Sequence, residues 1–111
     1  MSNKICLLAH NIRSLWNVGS LFRTSDAFGV EKIYLTGYTA IPPSREISKT
    51  AIGAEEWIEW EKYENPLEPL NRLKSEGWKI VALEQTENAI DVNDYRPSGN
   101  ICLICGHEVI G

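Results

Sequence analysis

This 111-residue chain lacks long hydrophobic runs, and it has few cysteines, which are odd in number. No apolar run approaches the roughly 20 residues of a membrane-spanning helix. The opening stretch MSNKICLLAHNIRS has too short an apolar segment for a signal peptide. The three cysteines are an odd number, which argues against a secreted disulfide scaffold. Since 43% of the residues are hydrophobic, as in globular proteins, we expect a cytoplasmic, globular protein with no membrane partner.

Basic residues are also scarce, because 11 Lys and Arg face 15 Asp and Glu, for a net charge of -4. That balance argues against nucleic acid at first sight, since phosphate binding usually rests on Lys and Arg. The charge is nevertheless unevenly divided. Residues 1–50 carry a net of +3, and residues 51–111 carry a net of -7. Any basic surface is therefore expected in the first half of the chain.

Several common site motifs are missing or incomplete. Neither G-x-G-x-x-G nor G-x-x-x-x-G-K-[ST] occurs, which disfavours a conventional dinucleotide or P-loop site. Cys102 and Cys105 form a C-x-x-C, but residues i and i+3 of a strand point to opposite faces, so we predict two buried structural cysteines. With His107 they would still lack a fourth zinc ligand, and we expect no metal. His10 is either an acid–base group or an ordinary loop residue.

Short apolar runs alternate with amphipathic stretches, which predicts a single α/β domain over residues 1–111 with a mainly parallel sheet flanked by helices. The predicted strands are KICLLA, KIYLTG, a short or edge strand in EEWIEWEKY, WKIVALEQ and NICLICG. One predicted helix is NPLEPLNRLKSEG, with Asn65 as its cap and Gly77 at its end. A further helical turn is predicted around residues 45–50.

The other predicted helix, NVGSLFRTSDAF, carries an unusual arginine. With Asn17 as N-cap and Gly29 as the stop, Arg23 lies six residues after the cap, roughly 9 Å along the axis. Gly19, four residues earlier, should leave open space beside it. An arginine near the positive end of a helix binds phosphate or orients a polar reactant. The ordinary alternative is a solvated surface side chain.

Two stretches resemble signature motifs of the SpoU/TrmH-type SPOUT RNA ribose 2′-O-methyltransferases. The segment NIRSLWNVGSLFRTSDAFGV matches the family pattern N-x-G-x-x-x-R-T-x-x-x-F-G, and LICGHEVIG matches G-x-E-x-x-G. VALEQT, at residues 81–86, is similar to the strand end that lines the cofactor pocket in these enzymes. GHEVIG alone could equally be a simple strand-to-helix turn, but it lies where α/β proteins bind ligands.

The resemblance implies a SPOUT-like fold, S-adenosylmethionine as methyl donor, RNA (tRNA or rRNA) as substrate and a homodimer. Arg23 matches the arginine proposed to activate the ribose hydroxyl, Asn17 an asparagine that shapes the site, and Glu108 a glutamate that holds the catalytic loop. The expected cofactor-binding residues are Leu83, Glu84, Gly106 and Gly111. We expect RNA phosphates to contact the basic residues of the first half, which are Arg13, Arg23, Arg45 and Lys49. Arg23 would act either as a base in an unusual environment or as a positioning group.

A third family motif, an Ile-Pro-Met-type segment followed by Ser-Leu-Asn-Val, does not occur in residues 1–111. In the family that segment supplies much of the cofactor pocket, the C-terminal trefoil knot and part of the dimer interface. We therefore expect a shortened chain that is inactive on its own. The alternative is a non-catalytic RNA- or protein-binding α/β module derived from the same family.

Overall fold

The computed structural model describes residues 3–83 and 99–106. Those ranges contain β1 (Ile5–His10), α1 (Leu15–Phe28), β2 (Lys32–Thr36), α2 (Arg45–Ala51), β3 (Glu59–Tyr63), α3 (Leu67–Ser75), β4 (Lys79–Leu83) and β5 (Ile101–Cys105). A short 3-10 turn, Ala54–Glu56, follows α2. The predicted alternation of strands and helices is confirmed, including the edge strand β3 and a helix, α2, where one helical turn was predicted.

The described strands form one parallel sheet in the order β3-β2-β1-β5-β4. The prediction of a mainly parallel sheet flanked by helices is therefore confirmed. The last strand, β5, lies between β1 and β4, so Cys102 pairs with Cys6 on one side and with Ile80 on the other. Strands in such central positions are covered on both faces, which explains the continuous apolar runs ICLLA and ICLIC.

Helices cover the two faces of the sheet separately. Leu7 and Ala9 of β1 belong to the larger core cluster, together with Val18 and Phe22 of α1 and Ile47 of α2. The alternating residues of β1 belong to the second, smaller cluster, which includes a leucine of α3; its buried members are Cys6, Leu8, Tyr34, Leu73 and Cys102. The period of two along β1 thus divides its side chains between an α1–α2 layer and an α3 layer.

The start of α1 corrects one prediction. Ser14, not Asn17, is the N-cap, and its Oγ accepts the backbone N–H of Asn17 at 3.1 Å. Serine is as good a cap as asparagine, and here it begins the helix three residues earlier. Arg23 is therefore nine residues past the cap, roughly 13 Å along the axis. The partial charge of the helix N-terminus acts only within the first turn, so it does not explain why an arginine occupies position 23. The predicted end is confirmed, because Gly29 adopts the left-handed conformation at φ 74°.

The prediction of open space beside Gly19 is also wrong, because that space is filled by α2. It is buried where α1 crosses α2, and an added Cβ would overlap Thr50 Oγ1 and the carbonyl oxygen of Ile47. The same Cβ would lie 3.0 Å from the backbone nitrogen of Ala51. The missing side chain is what permits the two helix backbones to approach each other this closely.

The cap and end of α3 follow the sequence closely. Asn65 Oδ1 accepts the backbone N–H of Leu67 at 2.9 Å, as expected of a capping side chain. The assigned N-cap is the next residue, Pro66, a one-residue difference of the kind common at helix ends. Gly77 has φ 91° and follows the end of the helix. No helix among residues 3–83 and 99–106 is long and apolar enough to cross a membrane.

The two cysteines of β5 diverge as predicted but are not equally buried. Cys102 is fully buried in the α3-side cluster, whereas Cys105 packs against the α1-side cluster and is only partly buried. Burial raises the pKa of the Cys102 thiol to about 12, and the pKa of Cys6 to about 11, with Glu31 adding to the latter. The thiols of Cys102 and Cys6 are therefore protonated and unreactive at neutral pH.

Candidate functional site

Two adjoining pockets lie along the exposed flank of α1. The first, the α1–β5 pocket, has a volume of about 310 Å³ and lies between the helix and the carboxyl end of β5. Its described lining consists of Ile12, Asn17, Ser20, Leu21, Thr24, Cys105 and Gly106. Ligands of open parallel α/β sheets bind beyond the carboxyl ends of the strands, so this pocket is at the expected edge of the sheet.

Asn17 lines the α1–β5 pocket, and its side-chain amide is not used to cap the helix because Ser14 has that role. The helix N-terminus uses only the backbone N–H of Asn17, and the residue is exposed. An asparagine amide offers both a donor and an acceptor for a polar reactant. On the opposite side of the pocket, no heavy atom of the described residues lies within 4 Å of a Cβ added to Gly106, so none of them covers its backbone on that side.

The second pocket, the α1–α2 pocket, has a volume of about 370 Å³. Its described lining consists of Trp16, Ser20, Arg23, Thr24, Lys49 and Thr50. The close crossing at Gly19 brings Lys49 of α2 to the same pocket as Arg23 of α1. The hydroxyl of Thr50 donates to the backbone oxygen of Trp16 at 2.9 Å and fixes this arrangement.

The first motif has a simple geometric explanation in these pockets. Ser20 and Thr24 line both of them, because residues four apart lie on one face of a helix. Asn17 lies on the β5 side of this shared ridge and Arg23 on the α2 side. Among the described residues Arg23 has no hydrogen-bonding or ion-pair partner, so its guanidinium is available to a ligand. The motif thus places an amide and a cation on either side of one hydroxyl-bearing ridge.

The structure brings together some of the predicted basic residues and separates others. Arg23 and Lys49 share the α1–α2 pocket, and Arg45 lies one turn before Lys49 on α2 and is exposed. Arg13 lies in the exposed connection between β1 and α1 and does not line either pocket. Lys49 is thus the predicted phosphate contact that shares a pocket with Arg23.

Two of the four predicted cofactor residues, Leu83 and Gly106, lie at the ends of two paired strands. Leu83 of β4 is in register with Cys105 of β5, which precedes Gly106. The backbones of Leu83 and Gly106 therefore emerge at one edge of the sheet, next to the α1–β5 pocket. Glu84, Glu108 and Gly111 lie outside the described residues, as does His107 of the incomplete zinc motif.

His10 and the charged side chains near α3 lie outside these pockets. The Nδ1 of His10 is 3.0 Å from the hydroxyl of the buried Thr36 at the end of β2. On the α3 face of the sheet, Lys32 forms ion pairs with Glu61 at 2.7 Å and Glu59 at 3.2 Å. Hydrogen bonds from Lys32 and Tyr63 hold the pKa of Glu61 below its usual value. Within the part of the chain that is described, no three His, Cys, Asp or Glu side chains are grouped to hold a metal ion.

Sequence reasoning missed several of the lining residues, among them Trp16, Ser20 and Thr50. A signal for the first two was present, because residues 16, 20 and 23 follow the i, i+4, i+7 spacing of one helix face. That spacing becomes informative only with the correct helix start, since a helix capped by Asn17 excludes Trp16. Thr50 could not be found from α1 alone, as it belongs to another helix.

The profile of the SpoU rRNA Methylase family matches residues 4–111. Together with the parallel sheet and the motif helix, this match shows that the chain belongs to the SpoU family. A curated tRNA (guanosine(18)-2'-O)-methyltransferase from Aquifex aeolicus is 28% identical over 108 residues, which are 96% of this chain and 50% of that protein. The protein of the same name from Escherichia coli K12 is 26% identical over 98 residues, which are 86% of this chain and 41% of that protein. The chain therefore spans about half the length of the curated relatives it matches.

Solved structures share the fold. The crystal structure of the A. aeolicus TrmH/SpoU tRNA modifying enzyme superimposes with a TM-score of 0.76 at 24% identity, covering 97% of this chain and 54% of that one. An AdoMet-bound rRNA methyltransferase from Sinorhizobium meliloti superimposes with a TM-score of 0.83 at 24% identity, covering 100% of this chain and 42% of that one. The arrangement of strands and helices described above is thus that of SpoU methyltransferase structures.

Proposed function

We propose that this chain forms the motif-bearing part of an RNA ribose 2′-O-methyltransferase that uses S-adenosylmethionine and acts on tRNA or rRNA as a cytoplasmic homodimer. The observation that carries the proposal is the flank of α1, where Asn17 and Arg23 line adjoining pockets on either side of Ser20 and Thr24. Names of the curated relatives support the reaction class, since they are tRNA ribose 2′-O-methyltransferases.

The strand ends beside the α1–β5 pocket are compatible with the proposed cofactor. None of the described residues covers the Cβ side of the Gly106 backbone, and the register of β4 and β5 brings the end of β4, Leu83, to the same edge. The pocket volume of about 310 Å³ is at the lower limit of small-molecule sites, which run from roughly 300 to 1,000 Å³. S-adenosylmethionine, when bound, supplies a methyl group on a good leaving group. Gly106 and the backbone around Leu83 would border it, and Glu84 and Gly111 remain predicted cofactor-binding residues on the motif resemblance alone.

Arg23 acts in this proposal by positioning the ribose. A guanidinium is a permanent cation that donates hydrogen bonds and has no acceptor, so it is a poor general base. Beside Lys49 it can bind the phosphate next to the target sugar and orient the 2′-hydroxyl toward the α1–β5 pocket. Asn17, on the other side of the ridge, offers its amide to that hydroxyl, and we assign Glu108 to holding the catalytic loop.

The test is methyl transfer from labelled S-adenosylmethionine to bulk tRNA and rRNA. It uses residues 1–111 alone and the same chain extended through the third family motif. Arg23→Ala should lower transfer at least about 100-fold without changing thermal unfolding, because the side chain is exposed. Arg23→Lys should fail as well, since a point charge does not reproduce a planar fork. Lys74→Ala, an exposed cation on α3, is the matched control and should leave transfer unchanged.

Normal turnover in both Arg23 variants would remove this residue from the proposed mechanism. RNA binding without methyl transfer by the extended chain would instead favour the alternative, a non-catalytic RNA-binding module.

A further inference from the structure

Trp16 is an exposed aromatic residue without a packing role in the core. Its side chain remains 61% exposed, although α1 buries Val18, Gly19, Phe22 and Ser25 against the rest of the protein. Its backbone oxygen is held by Thr50 at 2.9 Å, so the position of the residue is fixed while its indole stays accessible. Tryptophan is highly buried on average. An anchored, exposed indole at a pocket therefore points to contact with a ligand.

The surroundings of Trp16 specify the chemistry of that ligand. Arg23 and Lys49 line the same pocket, as do the hydroxyls of Ser20 and Thr24. No carboxylate is found among the described residues that line it. An aromatic ring beside two cations is the combination that single-stranded nucleic acid requires, because bases stack on aromatic side chains while cations contact the phosphates.

We propose that the α1–α2 pocket binds a nucleotide adjacent to the methylated one, with Trp16 stacking on its base and Lys49 contacting its phosphate. This inference rests on the proposed function, since it assigns a subsite to the same RNA. Charge favours RNA over a second copy of the chain as the occupant. Two-fold contacts at this pocket would bring its cations toward those of the other copy, with no lining carboxylate among the described residues to offset them.

Trp57 is a natural control because its side chain is also 61% exposed. Its Nε1 donates to Asp26 Oδ1 at 2.9 Å, and an added Cβ on Gly53 would lie 3.3 Å from its ring. These contacts give Trp57 a structural role in the connection after α2. The neighbouring carboxylate would also repel a phosphate. The two tryptophans therefore match in exposure but differ in what surrounds them.

Binding of a fluorescein-labelled single-stranded adenosine octaribonucleotide to the 111-residue chain tests the proposal by fluorescence anisotropy over a range of salt concentrations. Trp16→Ala should weaken binding about 5-fold to 150-fold, the range measured for one base–aromatic stack. Trp16→Phe should retain an intermediate affinity, because a smaller ring still stacks. Trp57→Phe should bind as the unmodified chain does. Thermal unfolding of each variant verifies that it is folded.

Lys49→Gln should also reduce the dependence of log affinity on log salt by about 0.7, the value for one phosphate contact on a single strand. The matched variant Lys74→Gln, on α3, should leave that dependence unchanged.

Equal RNA affinity of Trp16→Ala and the unmodified chain would overturn the stacking assignment while leaving the methyltransferase proposal intact. Dissociation of a dimer by Trp16→Ala, seen by sedimentation without loss of RNA affinity, would assign the residue to an interface between copies. Lack of RNA binding by the unmodified chain would overturn this subsite, whereas methyl transfer by the extended chain tests the proposed function separately.

Discussion

Replacing Gly19 with alanine tests whether the close crossing of α1 and α2 positions the candidate site. In a solvent-exposed helix the change is favourable, because alanine is better than glycine in a helix by about 1 kcal/mol. Here the added methyl group overlaps Thr50 Oγ1 and the carbonyl oxygen of Ile47. The hydroxyl can rotate, but the carbonyl belongs to the backbone of α2 and cannot. The helices must therefore separate.

The magnitude follows from these two opposing effects. Overpacking of a buried position costs about 1–3 kcal/mol, and the clash with a backbone atom places Gly19→Ala at the upper end of that range. After subtracting the gain in helix propensity, we expect a loss of about 2 kcal/mol in the free energy of unfolding. For a domain of this size that loss corresponds to a decrease in Tm of roughly 8 °C.

Thermal and urea unfolding of Gly19→Ala, Thr50→Ala and the double variant measure the effect. Because Thr50→Ala removes one of the two clashing atoms, the double variant should be more stable than the sum of the single losses by at least about 0.5 kcal/mol. Gly106→Ala is the control, since none of the residues that the structure describes lies within 4 Å of an added Cβ there. Its stability should change by less than about 0.5 kcal/mol. A gain in stability for Gly19→Ala would refute the reasoning, because it would mean that the helices are not in contact at this residue.

Two further predictions concern titratable groups away from the site. Hydrogen bonds from Lys32 and Tyr63 lower the pKa of Glu61, so its contribution to stability should be full above its unfolded pKa of about 4.5 and should fade as the pH falls below that value. At pH 7, the free energy of unfolding of Glu61→Gln in urea should be lower than that of the unmodified chain by less than about 1 kcal/mol, as for partly exposed ion pairs. At pH 3 the difference should be smaller still. A difference that does not depend on pH would contradict the pairing. Burial raises the pKa of Cys6 to about 11 and of Cys102 to about 12, so iodoacetamide at pH 8 should modify neither thiol until the protein unfolds, and rapid labelling of either one in native conditions, read by mass spectrometry, would be inconsistent with the described core.

Much of the fold follows from local sequence patterns. Continuous apolar runs predicted the central strands, and Gly29 and Gly77 predicted the ends of α1 and α3. Those signals are reliable because a buried parallel strand needs apolar residues on both faces, and a left-handed residue after a helix favours glycine. The start of α1 was wrong by three residues because Ser14 and Asn17 are both good caps, and local propensity does not choose between them.

The residues that resemble the family motifs, Asn17, Gly19 and Arg23, could be singled out from the sequence because motif spacing is a one-dimensional property. The structural reason for that spacing could not be found from the sequence. Gly19 proved to be a point of contact with α2, and Arg23 shares its pocket with Lys49, which is 26 positions further along the chain. The sequence by itself thus determined which elements form, which faces they bury and which family motifs they carry. Only the tertiary structure decided which side chains meet at the site, because the crossing of α1 and α2 and the placement of β5 between β1 and β4 join residues that have no local relationship.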